Sequence, residues 1–348
     1  MLETATCSTS ETLRTHIAMK ARNYTWSAVF VAIIVMSSAV PTRVQAYPSR
    51  SITVIVPFPA GGASDVVARI VTNQMAKLLG QSMVVENVSG AGGTVGSARA
   101  AAAPPDGYTL LAAAMGSHVA APVLTPNLKY DPITDFMPIG ITAHSPAVII
   151  ARKDFPTKDL REFVATLRQQ GDSIKQAHGG IGASSHMACL LFNTLIGARP
   201  TLVAYRGSVS GPALNDVVGG HVDFLCEQSV SVVESVLAGS VKAYGVSAAN
   251  RLSLIPDVPT AKEAGVDYVM SIWAGLFAPR GTPPQIIGIL ADALDKSLDE
   301  PTVGDRLTQL GGSIPPKEER TPATFDRFVH SENARWKPML AATSQPKQ

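Results

Sequence analysis

Short runs of β-branched and aliphatic residues alternate along the chain with longer stretches of helical periodicity, first at 51–56 (Ser-Ile-Thr-Val-Ile-Val) and 63–79. The alternation continues through 83–86 and 94–102 and reaches 108–113. This strand-then-helix rhythm predicts βα units on a mostly parallel sheet flanked by helices. A second series starts at 147–151 and runs through 160–169, 186–196, 213–219, 222–225, 230–238 and 241–247. The chain therefore reads as an α/β protein of two lobes. Helical stretches at 284–298, 301–310 and 322–339 have a different rhythm and are expected to pack back on the first lobe. On this reading residues 47–147 and 271–348 form lobe 1, and residues 148–270 form lobe 2.

The first 46 residues follow another pattern. Lys20 and Arg22 give a basic start, residues 26–40 are apolar, and Val44-Gln45-Ala46 offers a small-x-small cleavage site. That arrangement reads as a cleavable signal peptide and predicts a periplasmic product. A spanning helix needs about 20 apolar residues, and this run, ended by Pro41 and Arg43, is shorter. Residues 1–18 carry Glu3, Glu11 and a single basic side chain, Arg14, and read as an extension ahead of a start at Met19. No cysteine follows the apolar run closely enough to carry a lipid, so a soluble product is expected.

Length and charge narrow the possibilities. The chain of 348 residues exceeds the size at which a single core usually stops growing, and a cleft between lobes is a natural place for a ligand. Removing the leader's four basic and two acidic residues from totals of 29 and 27 leaves equal numbers of each sign. Bulk charge thus favours neither nucleic acid nor an anionic membrane surface, and an anionic ligand would have to be selected by local geometry. Cys7 lies in the leader. Cys189 sits in an apolar helical run and Cys226 in a strand-like run, and an oxidising compartment would allow the two to pair. The reading adopted is two buried, unpaired thiols. No CxxC or HExxH is present, so neither a metal nor a cofactor is expected.

Four glycine-rich loops carry the candidate chemistry. The first, Pro57-Phe58-Pro59-Ala60-Gly61-Gly62, joins a strand to a helix, where open α/β sheets bind ligands. Gly61 and Gly62 let main-chain N–H groups approach a ligand, and the next helix offers free N–H groups and a partial positive charge suited to a carboxylate. Asp65 reads either as a helix cap or as part of this site. The second loop, Gly90-Ala91-Gly92-Gly93-Thr94-Val95-Gly96, misses a dinucleotide fingerprint because position 95 is valine, and reads as a turn tightening one wall or as a ligand contact. The third runs from Gly179 through Gly182 to Ser184 and Ser185, again at a helix start. His186 follows it and reads as a structural histidine, with a general base as the rival. In the fourth, Arg206-Gly207-Ser208-Val209, the nucleophile-elbow spacing fails. Arg206 there could grip a distal carboxylate or pair with Asp216.

Taken with these loops, Asp65 and Arg69, Asp106-Gly107-Tyr108-Thr109-Leu110, Tyr130-Asp131-Pro132 with Asp135-Phe136, Tyr205-Arg206-Gly207-Ser208 and Gly219-Gly220-His221-Val222-Asp223 form an ordered set of landmarks. Pro259-Thr260 with Glu263 and Gly265, Trp273-Ala274-Gly275-Leu276 and Gly281-Thr282-Pro283 complete it. In these landmarks, from about residue 48 to 328, the sequence resembles the Bug-type receptors of tripartite tricarboxylate transporters. The resemblance implies a Venus-flytrap, periplasmic-binding-protein fold closing on a small carboxylate. It also implies capture by main-chain N–H groups and water at residues 58–62 and, from the opposing lobe, around Ser208 and Val209. The ligand-binding set expected is Phe58, Pro59, Ala60, Gly61, Gly62, Asp65, Gly182, Ser184, Ser185, Arg206, Gly207, Ser208 and Val209. Val209-Ser210-Gly211, Val88-Ser89 and Ala183 depart from the family's usual residues, which leaves the distal pocket and the substrate undefined. The expected product is a monomeric receptor, not an enzyme, that hands its ligand to a membrane permease. The alternatives are a ligand-binding input to a sensor kinase, and a hydrolase or transferase using His186 or His178 with neighbouring serines.

Overall fold

The computed structural model describes residues 47–205 and 210–344. The signal-peptide reading of residues 1–46 and the four candidates Arg206, Gly207, Ser208 and Val209 therefore lie outside the described residues. The first strand, β1 (Ile52–Val56), is the run Ile-Thr-Val-Ile-Val. Its β-branched residues suit a pleated surface covered on both sides. It is followed by α1 (Ala63–Leu79), which ends on Gly80 with a left-handed φ of 66°. Then come β2 (Met83–Asn87), α2 (Thr94–Ala101), β3 (Thr109–Ala114) and the short α3 (Ala121–Leu124). The long β4 (Phe136–Arg152) leads to α4 (Leu160–Gln170), β5 (Lys175–His178), α5 (Ser184–Ile196), β6 (Thr201–Ala204) and α6 (Ser210–Val218). The chain continues through β7 (Phe224–Gln228), α7 (Ser229–Leu237), β8 (Val241–Val246) and β9 (Ser271–Pro279) to α8 (Pro284–Asp299), α9 (Pro301–Gln309) and α10 (Pro322–Ser344).

The strands follow the path β2-β1-β3-β9-β4-β7-β5-β6, with β8 also on β4. The expected parallel pairing holds at both ends, in β2-β1-β3 and in β7-β5-β6. In the middle, β3 with β9, β9 with β4, and β4 with both β7 and β8 are antiparallel. The cause is the length of β4. Its residues from Phe136 to Pro146 pair with β9, and those from Ala147 onward pair with β7 and β8. Sheet partners therefore change between Pro146 and Ala147, giving a two-lobed α/β fold.

Each half is covered by helices. Val54, Val67, Val71, Leu290 and Leu294 bring α1 and α8 together over β1, and Leu307 of α9 joins the same cluster. Phe325, Trp336 and Leu340 of α10 pack on the other face with Leu111 and Phe277. In the second half, Phe163 of α4 stacks on Tyr244, and Phe192 of α5 lies in the same cluster. The reading of two unpaired thiols is corrected here. Cys189 of α5 and Cys226 of β7 are both fully buried and form a disulfide, their Cα atoms 5.2 Å apart. Packing α5 directly on β7 places their Cβ atoms in range across 37 residues of sequence.

Candidate functional site

Beyond Val56 the chain bends through Pro57–Gly62 before α1 begins. Gly61 takes a φ of 78°, which favours glycine. Asp65 sits in the first turn of α1, 3% exposed, and accepts the Gly61 N–H at 2.9 Å. The same carboxylate takes Arg69 Nε at 3.0 Å on both oxygens and Asn87 Nδ2 at 2.9 Å. Asn87 also donates to Phe58 O at 3.0 Å, so Asp65 and Asn87 brace the bend against the end of β2. Burial alone would raise the Asp65 carboxyl. The Arg69 guanidinium, the Gly61 N–H and Asn87 outweigh it and hold the group below the ordinary carboxylate range.

The opposing wall follows β5. Gly180 and Gly182 have φ values of 107° and 83° and carry the chain into α5. Gly179 N–H donates to Ser185 Oγ at 3.0 Å, and Ala183 N–H to Gly180 O at 3.1 Å. Gly180 N–H reaches His178 Nδ1 at 3.2 Å and Gly182 N–H reaches His186 Nδ1 at 3.3 Å. Both imidazoles accept on Nδ1, which places their proton on Nε2. Their ring centroids are 4.9 Å apart. Burial, then the neighbouring His178, pushes His186 down to about 4, and burial lowers His178 as well. Near neutral pH the pair is therefore uncharged, and its role is to shape the loop.

The two helix starts share one property. Neither α1, which begins after an extended Gly62, nor α5, which begins after an extended Ala183, has a side chain capping its N-terminus. Both starts open on one narrow cavity of about 30 Å³. Phe58, Gly62, Ala63 and Ser64 line it from one side, Ala183, Ser184 and Ser185 from the other, and Glu227 with Gln228 at the end of β7. Each α-helix start carries roughly half a positive charge and N–H groups without an intrahelical acceptor. The enclosure is therefore rich in donors and suited to an anion.

Of the residues anticipated from sequence, the structure brings Phe58, Gly62, Ser184 and Ser185 to this cavity. Pro59, Ala60 and Gly61 belong to the same bend without lining it, and the Gly61 N–H is turned inward to Asp65. Asp65 thus supports the loop from beneath. The Gly182 N–H is likewise occupied by His186. Asp216, weighed as a partner of Arg206, accepts the Tyr205 hydroxyl at 2.5 Å. Ala63, Ser64, Ala183, Glu227 and Gln228 were not anticipated at the site. The available signal was the polar pair Glu-Gln closing an apolar run in Phe-Leu-Cys-Glu-Gln.

The second glycine loop supports the first. A Cβ at Gly93 would stand 3.1 Å from the Phe58 ring, and one at Gly96 would lie 2.5 Å from Val88 O and 2.9 Å from Pro57 Cα. A π-helical turn at Gly116–Ala120 backs the third loop, since a Cβ on Gly116 would meet Gly182 O at 3.0 Å.

Two α/β halves meeting at a donor-rich enclosure define a solute-binding receptor of the periplasmic-binding-protein class. Residues 67–344 match the family described as tripartite tricarboxylate transporter family receptor. A protein of Agrobacterium vitis encoded in the TAR-I ttuE-ttuC' intergenic region is 38% identical over 307 residues, covering 87% of this chain and 88% of its own. BugT of Bordetella pertussis is 30% identical, covering 91% and 96%. Among solved structures, MatC from Rhodopseudomonas palustris with bound malate aligns with a TM-score of 0.79 at 44% identity, over 84% of this chain and all of that one. The periplasmic binding protein BugD aligns with a TM-score of 0.79 at 36% identity, over 87% of this chain and all of its own. The chain belongs to the tripartite tricarboxylate transporter receptor family.

Proposed function

We propose that this chain captures a small carboxylate in the periplasm and presents it to a membrane permease, performing no chemistry on it. The observation that carries the reading is the convergence of two uncapped helix starts, Ala63–Ser64 and Ser184–Ser185, on one cavity. N–H groups there, with the hydroxyls of Ser64, Ser184 and Ser185, would hold carboxylate oxygens. Phe58 and Gly62 form a wall, and Pro59, Ala60, Gly61 and Gly182 keep the two bends in shape. Arg206, Gly207, Ser208 and Val209 remain candidates on the second lobe. The malate held by MatC and the adipate held by another Rhodopseudomonas palustris relative support an acid as ligand. The change of strand partners at Pro146 and Ala147 supports lobes of 47–147 with 271–348, and of 148–270. Export by a leader within residues 1–46 completes the proposal.

The experiment is calorimetric titration of the mature chain with C4 to C6 dicarboxylates, alongside Ala63→Pro and Ser184→Pro. Proline at the first position of a helix removes one N–H while keeping the helix. A hydrogen bond to a charged group contributes about 1.5–3 kcal/mol. Ala63→Pro is therefore expected to bind roughly 10- to 150-fold more weakly, and Ser184→Pro, which also loses its hydroxyl, at least as weakly, with unchanged melting temperatures. Unaltered affinity in both variants would remove the helix starts from the mechanism, and indifference to every acid would refute the carboxylate assignment.

A further inference from the structure

Three of the glycine-rich loops come together at a residue that belongs to none of them. Gly116 is buried at the start of the π-helical turn Gly116–Ala120 and does not itself line the cavity. A Cβ there would stand 3.0 Å from Gly182 O, 3.7 Å from Phe58 Cζ and 3.8 Å from Gly92 O. Phe58 is part of the first wall, and Gly182 immediately precedes Ala183 and Ser184 of the opposing one. The missing side chain therefore lets the two walls approach each other. The contact is tight over its whole extent, since a Cβ on Gly182 would stand 3.4 Å from Ala120 Cβ at the far end of the same turn.

The two sides of this contact differ in what holds them. Ser117 Oγ donates to Ala114 O at 3.1 Å, and the Tyr130 hydroxyl donates to Ser117 O at 2.6 Å. The fully buried His118 ring lies 4.3 Å from the Phe277 ring and 5.2 Å from that of Phe136, centroid to centroid. The turn is thus packed into the core, whereas the loop facing it reaches solvent, with Ile181 67% exposed. A group added at position 116 would displace the loop and not the close-packed turn. Ala183 N–H bonds Gly180 O and Gly182 N–H bonds His186, so the loop and the α5 start would move together. We infer that Gly116 is a specificity-determining residue, the spacer that sets the gap between the α1 and α5 starts and so the length of diacid the cavity encloses. A Cβ there would push Gly182 back by a few tenths of an ångström. Enlarging residue 116 then favours longer acids without removing any group that touches the ligand.

This inference rests on the carboxylate-receptor reading, and the test separates the two. The mature wild type, Gly116→Ala and Gly116→Val are titrated with succinate, glutarate and adipate, and melting curves report which variants are folded. One methylene in a fitted pocket is worth about 10- to 200-fold in affinity, and a displacement smaller than a methylene shifts the preference by less. Gly116→Ala is expected to move the adipate-to-succinate affinity ratio towards adipate by about threefold, and Gly116→Val by about tenfold. Gly288→Ala, on an exposed face of α8 where a Cβ meets nothing within 4 Å, should leave the ratio unchanged. Where neither Gly116 variant folds, a crystal structure of the wild type with its best-bound acid decides, and Gly182 O should lie directly against Gly116. A water layer between them overturns the spacer role. So does a folded Gly116 variant whose ratio is unchanged, moves towards succinate, or accompanies equal weakening of all three acids. Each of those results leaves the carboxylate reading standing, whereas a wild type that binds none of the three acids overturns both.

Discussion

His186 anchors the loop ahead of its own helix by accepting the Gly182 N–H on Nδ1, and burial beside His178 pushes its pKa down to about 4. An unfolded histidine titrates near 6.5. Above that pH both states are neutral and the group contributes no pH dependence. Between 6.5 and 4 the unfolded chain takes up a proton that the folded one refuses, so stability falls with acidification and levels off below the folded pKa. The span corresponds to a loss of about 3 kcal/mol. Urea unfolding from pH 7.5 to 4 should show it, and His186→Asn, which keeps a short acceptor, should flatten the curve by a similar amount. Superimposable pH profiles would show that the buried imidazole is not the sensor. Asp65 titrates in a lower window, since its depressed pKa contributes stability that is lost only as pH falls through that lowered value. The sequence left Asp65 open between cap and ligand contact because the deciding partner, Asn87, arrives 22 residues later from another strand. The same inward turn of Asp65 takes the Gly61 N–H out of use. The site therefore reaches past Gly61 and Gly62, which are conspicuous in sequence, to Ala63 and Ser64, which are not.

At the scale of elements, the cavity depends on α5 staying in register with β7, and the Cys189–Cys226 bond links them. Closing a loop across 37 residues of sequence lowers the entropy of the unfolded chain by an amount equivalent to about 4 kcal/mol. The Cys189→Ala, Cys226→Ala double variant should unfold at correspondingly lower denaturant, and a reductant should shift the wild type but not the variant. Equal midpoints for oxidised and reduced wild type would mean that packing alone sets the register. Sequence could not decide the pairing, because each cysteine sits in an apolar stretch that suits a free buried thiol equally well. Their proximity is a product of α5 lying on β7. The helix and strand alternation was legible for the opposite reason: β1, α1 and α4 carry their own signals. Those are a β-branched run, a glycine at the helix end, and Asp159 accepting the Glu162 N–H at 2.9 Å to start α4.

For the whole molecule, the feature that sequence concealed is β4. Its second part, 147–151, is a plain aliphatic strand, but the stretch from Phe136 to Pro146 contains Pro138, Gly140, His144 and Pro146 and has no clear period. It becomes a strand because β9, more than a hundred residues later, pairs with it. That pairing makes β4 run through both halves, and we propose its change of partners at Pro146 and Ala147 as the hinge. Proline contributes no N–H to the ladder there. A ligand touching both helix starts stabilises the closed arrangement only through contacts made to both halves at once. In small-angle X-ray scattering, saturating amounts of an acid that binds in the calorimetric panel should contract the mature chain towards the roughly 19 Å radius of gyration of a compact protein of its length. Ala63→Pro should need a higher concentration of the acid for the same contraction, because it weakens one half's grip without touching the hinge. A radius that stays constant through saturation would place binding on a preformed cavity, and the permease would then have to recognise something other than closure.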